Sequence, residues 1–203
     1  MNRINYQKEM EKMIQYHQER NEVPRLLLHS CCAPCSSYCI EYLSDYFEIT
    51  VFYYNPNITQ EPEYVKRVEE QKLFIERFPA KHKVTFLEGN YEPMEFYSIA
   101  KGLADAPEGG ERCKKCYALR LWETGKVAKQ KGFDYFTTTL SISPLKNAQL
   151  LNEIGEQAAK QYQVPYLYSD FKKKEGYKRS VTLSKEYGLY RQEYCGCIYS
   201  MNR

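Results

Sequence analysis

Eight cysteines in 203 residues fall into three groups. Cys31, Cys32, Cys35 and Cys39 form the first, Cys113 and Cys116 the second, and Cys195 and Cys197 the third. Thiolates ligate zinc and iron–sulfur centres, and they are also the reacting atoms of disulfide exchange. The opening residues, MNRINYQKEMEKMIQYHQER, are polar throughout and lack the apolar stretch of a secretory leader. A cytoplasmic, reducing location is therefore expected, which disfavours a structural disulfide framework and favours metal binding or thiol redox chemistry.

The groups differ in what they signal. Cys113-x-x-Cys116 is a common metal-ligand spacing, and with the adjacent pair Cys31-Cys32 it supplies four thiolates. Four is the number that a [4Fe–4S] cluster or a tetrahedral zinc takes. Cys39 reads as a small buried hydrophobe on a helix face, and Cys35 as either the same or a further ligand. A disulfide across Gly196 would close a very small, strained ring, and strained disulfides are the labile ones. Two ordinary thiols in a C-terminal tail is the alternative for that pair.

The elements that must position these groups can be read from apolar periodicity. Residues 1–22 predict an amphipathic helix ended by Pro24. Arg25 to His29 predicts a strand buried on both faces, followed at once by the first cysteine group and a helix from Ser36 to Tyr46. Strands are expected over Glu48–Tyr54, Lys83–Leu87, Tyr135–Leu140 and Val164–Tyr168. Helices are expected over Pro62–Phe78, Tyr91–Leu103, Glu111–Lys131 and Pro144–Gln161, with a loop over Ala106–Gly110.

Strand and helix alternate, so the expected fold is α/β: a parallel sheet with helices on both faces. The length suits a single domain over residues 1–203. Its parts are an N-terminal helix (1–24), an α/β core (25–170) and a polar, Tyr-rich C-terminal appendage (171–203). Sites in such folds form beyond the carboxyl ends of the strands. Cys31 and Cys32, Asn55 to Asn57, Thr139 to Ser143, and Cys113 with Cys116 are expected to converge there. Neither G-x-x-x-x-G-K-[ST] nor G-x-G-x-x-G is present, so no phosphate-cradling loop is evident.

Charge and hydropathy exclude other classes. Charged residues are 27% and hydrophobic residues 43%, which is neither a disordered nor a membrane composition. No apolar run reaches the roughly 18 residues of a membrane span. The net charge of +3 is too mild to announce nucleic acid. Locally, Lys172, Lys173, Lys174, Lys178 and Arg179 face only Glu175, with Tyr166, Tyr168, Tyr177, Tyr187, Tyr190 and Tyr194 nearby. Cations hold phosphates and aromatic rings stack splayed bases, so this run is a candidate RNA grip. A solvated surface loop is the bland reading.

Five segments carry a resemblance. LLLHSCCAPCS, FYYNPNITQEPEY, ERCKKCYALRL, TTTLSISPLKN and YRQEYCGCIYS, in this order, resemble the QueH family of epoxyqueuosine reductases from about Arg25 to Ser200. The resemblance implies an oxidoreductase that reduces the cyclopentane epoxide of epoxyqueuosine at the tRNA wobble position, the last step of queuosine synthesis. It implies a fold like the α/β domain of PP-loop ATPases, which carry S-G-G-x-D-S after their first strand. Ser30-Cys31-Cys32-Ala33-Pro34-Cys35-Ser36 stands there instead, so a metal site replaces the phosphate site and ATP dependence does not follow.

The resemblance further implies that Cys31, Cys32, Cys113 and Cys116 ligate a [4Fe–4S] cluster. It makes Cys195 and Cys197 a redox-active pair, and it places a second metal ion beside the cluster with Cys35 as a ligand. The implied partners are tRNA and an external electron donor. An acid must protonate the leaving oxygen: a tyrosine, His29 or a metal-bound water. His29 ends an apolar strand and reads first as packed. Two rival functions are a PP-loop tRNA sulfur-transfer enzyme, which the missing phosphate loop disfavours, and a non-catalytic zinc module that binds RNA.

Overall fold

The strand at Arg25–His29 (β1) sets the centre of the molecule because its three leucines serve two cores at once. A computed structural model describes residues 4–201, so residues 1–3 of the expected N-terminal helix lie outside the described part. Leu26, Leu27 and Leu28 are all fully buried. Successive side chains on a strand point to opposite faces. Leu27 accordingly joins Phe136, Leu151 and Ala158 in one apolar cluster. Leu26 and Leu28 join Met10, Ile40 and Phe74 in another. Burying one such leucine contributes about 1.5–3 kcal/mol, so this short strand ties both layers to the sheet.

The helices and strands alternate around β1. In chain order they are α1 (Tyr6–Gln18), β1, α2 (Ala33–Leu43), β2 (Glu48–Tyr53), α3 (Glu61–Arg77), β3 (Val84–Glu88) and α4 (Pro93–Ala100). Then follow α5 (Glu111–Lys131), β4 (Tyr135–Thr138), α6 (Ala148–Tyr162) and α7 (Gly176–Glu186). The sheet is parallel throughout, in the order β3-β2-β1-β4. The chain steps outward from β1 through β2 to β3, then returns to β1's other side with β4. Strand order therefore reverses between β1 and β4, and the crevice beyond their carboxyl ends is where such sheets bind ligands.

Two helix starts near the carboxyl edge of the sheet differ from expectation. The helix after β1 starts at Ala33 rather than Ser36, because Pro34 occupies its first turn and the Cys32 thiol caps it, accepting from the Cys35 amide at 3.4 Å. Cys35 therefore lies in a helical first turn. The helix expected from Pro144 starts at Ala148, where the Asn147 side chain accepts from the Leu150 amide at 3.2 Å.

The expected fifth strand, Val164–Tyr168, is a single bridge between Phe136 and Tyr166. Its continuation is taken over by a side chain. Ser169 donates its amide to Asn152 Oδ1 at 2.9 Å, and Asn152 Nδ2 donates to the Ser169 carbonyl at 2.8 Å. The carboxamide thus occupies the backbone groups that a further ladder would use.

The polar C-terminal segment packs back against the α/β layers. Phe171 and Leu183 are each 1% exposed. The chain reaches α7 through Gly176, where a Cβ would lie 2.0 Å from the Phe171 carbonyl oxygen and 2.3 Å from the Tyr38 ring. Only glycine fits that approach.

Candidate functional site

The cysteine groups meet at the carboxyl edge of the sheet. Beyond β1, the sulfur atoms of Cys31, Cys32 and Cys35 all lie within 4.8 Å of one another. The Cys31 and Cys32 sulfurs are 3.9 Å apart. Cys32 has an extended backbone and Cys35 follows one helical turn later, so the chain reversal aims three thiols at one point. Hydrogen bonds from Cys32 and Cys35, with help from Lys146 and Arg120, hold the Cys31 thiol well below its ordinary pKa against the opposing effect of burial. Burial instead pushes Cys32 up to about 12. One thiolate sharing its charge with two neutral thiols is a donor set for a soft metal ion.

Cys113 sits in the first turn of α5, half-buried, and its sulfur accepts from the Gly109 amide at 3.3 Å. Cys116 is buried one turn on, where burial raises its pKa to about 12. These two line a tight cavity of about 20 Å³ together with Cys195, Cys197 and Arg120. A larger cavity, of about 430 Å³, is lined by Cys31, Cys35 and Cys195 together with Ser143 and Lys146. Cys195, Glu108 and Ser200 belong to both. Of the four cysteines expected to converge, Cys31 lines the larger cavity and Cys113 with Cys116 the tight one, while Cys32 lines neither; among the described residues the thiols within 4.8 Å of one another are those of Cys31, Cys32 and Cys35. Cys39 is wholly buried in the apolar cluster beneath α2.

The turn that carries Cys195 and Cys197 is clamped from three directions. Arg67, on α3 and 1% exposed, donates Nη1 to the Cys195 carbonyl at 3.4 Å and Nη2 to the Tyr194 carbonyl at 3.5 Å. Asn57 donates to the Cys195 carbonyl at 3.5 Å, and the Thr59 amide to the Gly196 carbonyl at 3.3 Å. Gly196 has φ of 110°, a conformation that side chains disfavour. Both cysteines are free thiols.

Two cations face these sulfurs. Arg120, fully buried, donates to the Cys116 carbonyl at 3.3 Å and to Asn55 Oδ1 at 3.5 Å, while its Nη2 has no partner. Lys146 is half-buried, and the charges that act on it most are those of Cys195, Cys31, Tyr117 and Cys35. Burial works against the charge of each, yet the surrounding thiols leave both pKa values raised.

Sequence reasoning missed Arg67, Arg120 and Lys146. Arg120 had a signal: it lies four residues after Cys116, on the same helix face. Lys146 was the lone cation of TTTLSISPLKN. Arg67 had none, since it meets Cys195 only in the folded chain.

His29 is wholly buried, with Nδ1 2.9 Å from the Thr138 hydroxyl and Nε2 3.1 Å from the Tyr54 carbonyl. The carbonyl fixes the proton on Nε2, and Thr138 donates to Nδ1. Burial, with Arg120 nearby, lowers its pKa to about 3. Both ring nitrogens are engaged and none faces the cavities.

The basic run is mostly turned to internal work. Lys172 donates to the carbonyls of Ser141 at 3.0 Å and Lys146 at 3.2 Å, and it pairs with Asp170. Lys174 pairs with Glu11, Lys178 with Glu175, and Arg179 with Glu41 and Glu186. Lys173 alone of the five forms no side-chain ion pair among the described residues.

Fold and site together define a parallel α/β protein with a cysteine-lined centre at the switch point between β1 and β4. The family model described as "Epoxyqueuosine reductase QueH" matches residues 26–203. A protein of that name from Staphylococcus epidermidis is 44% identical over 202 residues, covering 98% of this chain and 85% of its own. One from Streptococcus pyogenes is 44% identical over 98% of this chain and 78% of its own length. One from Thermotoga maritima is 36% identical over 87% and 90%. The chain belongs to the QueH family of epoxyqueuosine reductases, which are oxidoreductases. No helix among the described residues is long and apolar enough to cross a membrane.

Proposed function

We propose that this protein removes the epoxide oxygen of epoxyqueuosine at the wobble position of tRNA, leaving the alkene of queuosine. One observation carries the reading: two adjoining cavities at the carboxyl edge of the sheet are lined by six cysteines and share Cys195. The larger, about 430 Å³, has room for a splayed nucleoside and reaches the thiols of both the first and the third cysteine groups.

The electron count closes on the chain's own residues. The thiols of Cys195 and Cys197 give up two protons and two electrons and join as a disulfide. The epoxide loses both C–O bonds, its oxygen leaves as water, and its carbons form the double bond. An external two-electron donor then returns the disulfide to the dithiol. The clamp of Arg67, Asn57 and Thr59 keeps the pair at the rim shared by the two cavities.

Cys31, Cys32, Cys113 and Cys116 would hold a [4Fe–4S] cluster, and Cys35 would hold a second metal ion beside it. The donor set supports this in kind: soft thiols of Cys31, Cys32 and Cys35 lie within 4.8 Å of one another, those of Cys113 and Cys116 line the cavity that shares Cys195 with theirs, and Arg120 Nη2 is buried there without a partner, so positive charge already faces added negative charge. When bound, such a group supplies electron transfer and Lewis acidity toward the epoxide oxygen. A tRNA partner fits Lys173 and Tyr177, which is 41% exposed on the cavity wall beside the Arg191 guanidinium, an aromatic–cation pair of the kind that stacks a base. Acting on tRNA with reduced thiols, the enzyme would work in the cytoplasm, where thiols stay reduced.

The test uses protein purified without oxygen. About four iron and four sulfide per chain are expected. Incubation with epoxyqueuosine-bearing tRNA and a reductant, followed by digestion and mass spectrometry, should show a nucleoside lacking one oxygen. Zinc without sulfide, together with an unchanged nucleoside, would overturn the reading.

A further inference from the structure

The larger cavity contains a cation that neither the cysteine chemistry nor the clamp uses. Lys146 follows the short 3-10 turn Thr139–Ile142 at the end of β4 and immediately precedes the cap of α6. Its backbone is fixed at both ends. Its amide donates to the Ser143 carbonyl at 3.1 Å, and its carbonyl accepts from Lys172 at 3.2 Å. Its side chain is bound by nothing comparable: among the described residues no carboxylate pairs with its ammonium. It lines the same cavity as Cys31, Cys35 and Cys195.

The other cations and the histidine near the site are less well placed. Arg191, on the same cavity, uses Nη1 on the Ser184 hydroxyl at 3.1 Å and the Ser180 carbonyl at 3.5 Å, and its guanidinium carbon lies 5.7 Å from the Tyr177 ring centroid. His29 uses both ring nitrogens on Thr138 and Tyr54. Arg120 has a free Nη2, but the cavity it lines holds about 20 Å³, too little for a ring-bearing substrate. In the space that admits one, Lys146 is a cation without a carboxylate partner among the described residues.

We propose that Lys146 is a catalytic residue of this reaction, donating a hydrogen bond from Nζ to the epoxide oxygen as its C–O bond breaks. The inference rests on the epoxide-reduction reading above. As the first C–O bond opens, the oxygen gains negative charge. An ammonium placed on that atom stabilises the charge more than it stabilises the uncharged epoxide, which is the condition for accelerating a step. The electrons and protons still balance on the Cys195/Cys197 pair, and the oxygen still leaves as water. The alkene product lacks the oxygen, so Lys146 has no partner in the product complex.

That asymmetry supplies the test. Lys146→Met keeps the length of the side chain and removes the charge, while Lys146→Arg keeps the charge. Each is loaded with metal and compared with wild type for single-turnover reduction of epoxyqueuosine-bearing tRNA, iron and sulfide content, and affinity for queuosine-bearing tRNA. The expected result is a loss of about 10²–10³-fold in the rate for Lys146→Met, the range found on removing one such donor. Lys146→Arg should recover a substantial part of it. Iron, sulfide and product affinity should match wild type. A Lys146→Met rate near wild type, a rate loss that tracks lost iron, or an equal loss of product affinity would overturn the proposal. Wild-type protein that leaves the epoxide intact would overturn the underlying reading and this inference with it.

Discussion

Arg67 and Cys195, 128 residues apart in sequence, meet where the Arg67 guanidinium donates to the Cys195 carbonyl at 3.4 Å. The contact ties the third cysteine group to α3 and hence to the sheet. Arg67 is 1% exposed and pairs with Glu63 at 2.7 Å, so the charge is compensated within its own helix. Arg67→Met removes the clamp and leaves Glu63 without its cation. The expected loss is about 3 kcal/mol of stability, the lower end of the range for breaking a buried pair because Glu63 is partly exposed. Denaturant unfolding measures it, and hydrogen exchange at residues 194–197 should rise more than at β1. Uniform exchange across both would show that the contact does not hold the turn.

Gly196 gives a second, independent handle on the same turn. Its φ is 110°, and a Cβ there would lie 2.8 Å from Ile58 Cγ1. Gly196→Ala is expected to cost about 1–3 kcal/mol through backbone strain. In an Ile58→Ala background, which lacks Cγ1, Gly196→Ala keeps only the backbone part, so against Ile58→Ala alone its cost should shrink without vanishing, recovering only some of the lost stability. Complete recovery would assign the whole effect to the Ile58 contact.

Lys172 and Lys173 are neighbours in sequence with opposite roles in the fold. Lys172 bridges the Ser141 and Lys146 carbonyls, so Lys172→Met should lower stability by about 1.5–3 kcal/mol, the range for hydrogen bonds to a charged group. Lys173→Met should leave the unfolding midpoint unchanged. If Lys173 touches a phosphate, that variant flattens the plot of log affinity for tRNA against log salt by about one unit. An unchanged slope returns Lys173 to the solvated surface.

The cysteine groups separate by metal content. Cys113→Ala or Cys116→Ala should lose iron and turnover together. Cys197→Ser should keep the iron and stop turnover, because a lone Cys195 cannot close a disulfide. Iron retained in full by both α5 variants would remove Cys113 and Cys116 from the ligand set. Normal turnover by Cys197→Ser would remove the pair from the electron count.

Local chemistry was legible wherever one segment carries its own instruction. The leucines of β1 announced a strand buried on both faces, and the cysteines directly after it had to fall at its carboxyl end. The helix after β1 reads from Ser36 rather than Ala33 because its cap is a cysteine thiol, Cys32, a residue type that does not announce a helix start. Val164–Tyr168 has strand composition, yet the paired backbone at Ser169 belongs to Asn152, a partner 17 residues earlier on α6. The basic run read as a ligand surface because composition cannot reveal partners such as Glu11 and Glu41, which distant helices bring to Lys174 and Arg179.

By itself, then, the sequence determined the alternation of strands and helices, the edge where the thiols gather and the family. These follow from periodicity and from residues close together in the chain. The tertiary structure decided which thiols share a cavity, which cations face them, and that Lys172 braces the backbone of Lys146. Those relationships depend on contacts between residues far apart in sequence, whose geometry is set only when helices pack on both faces of the sheet.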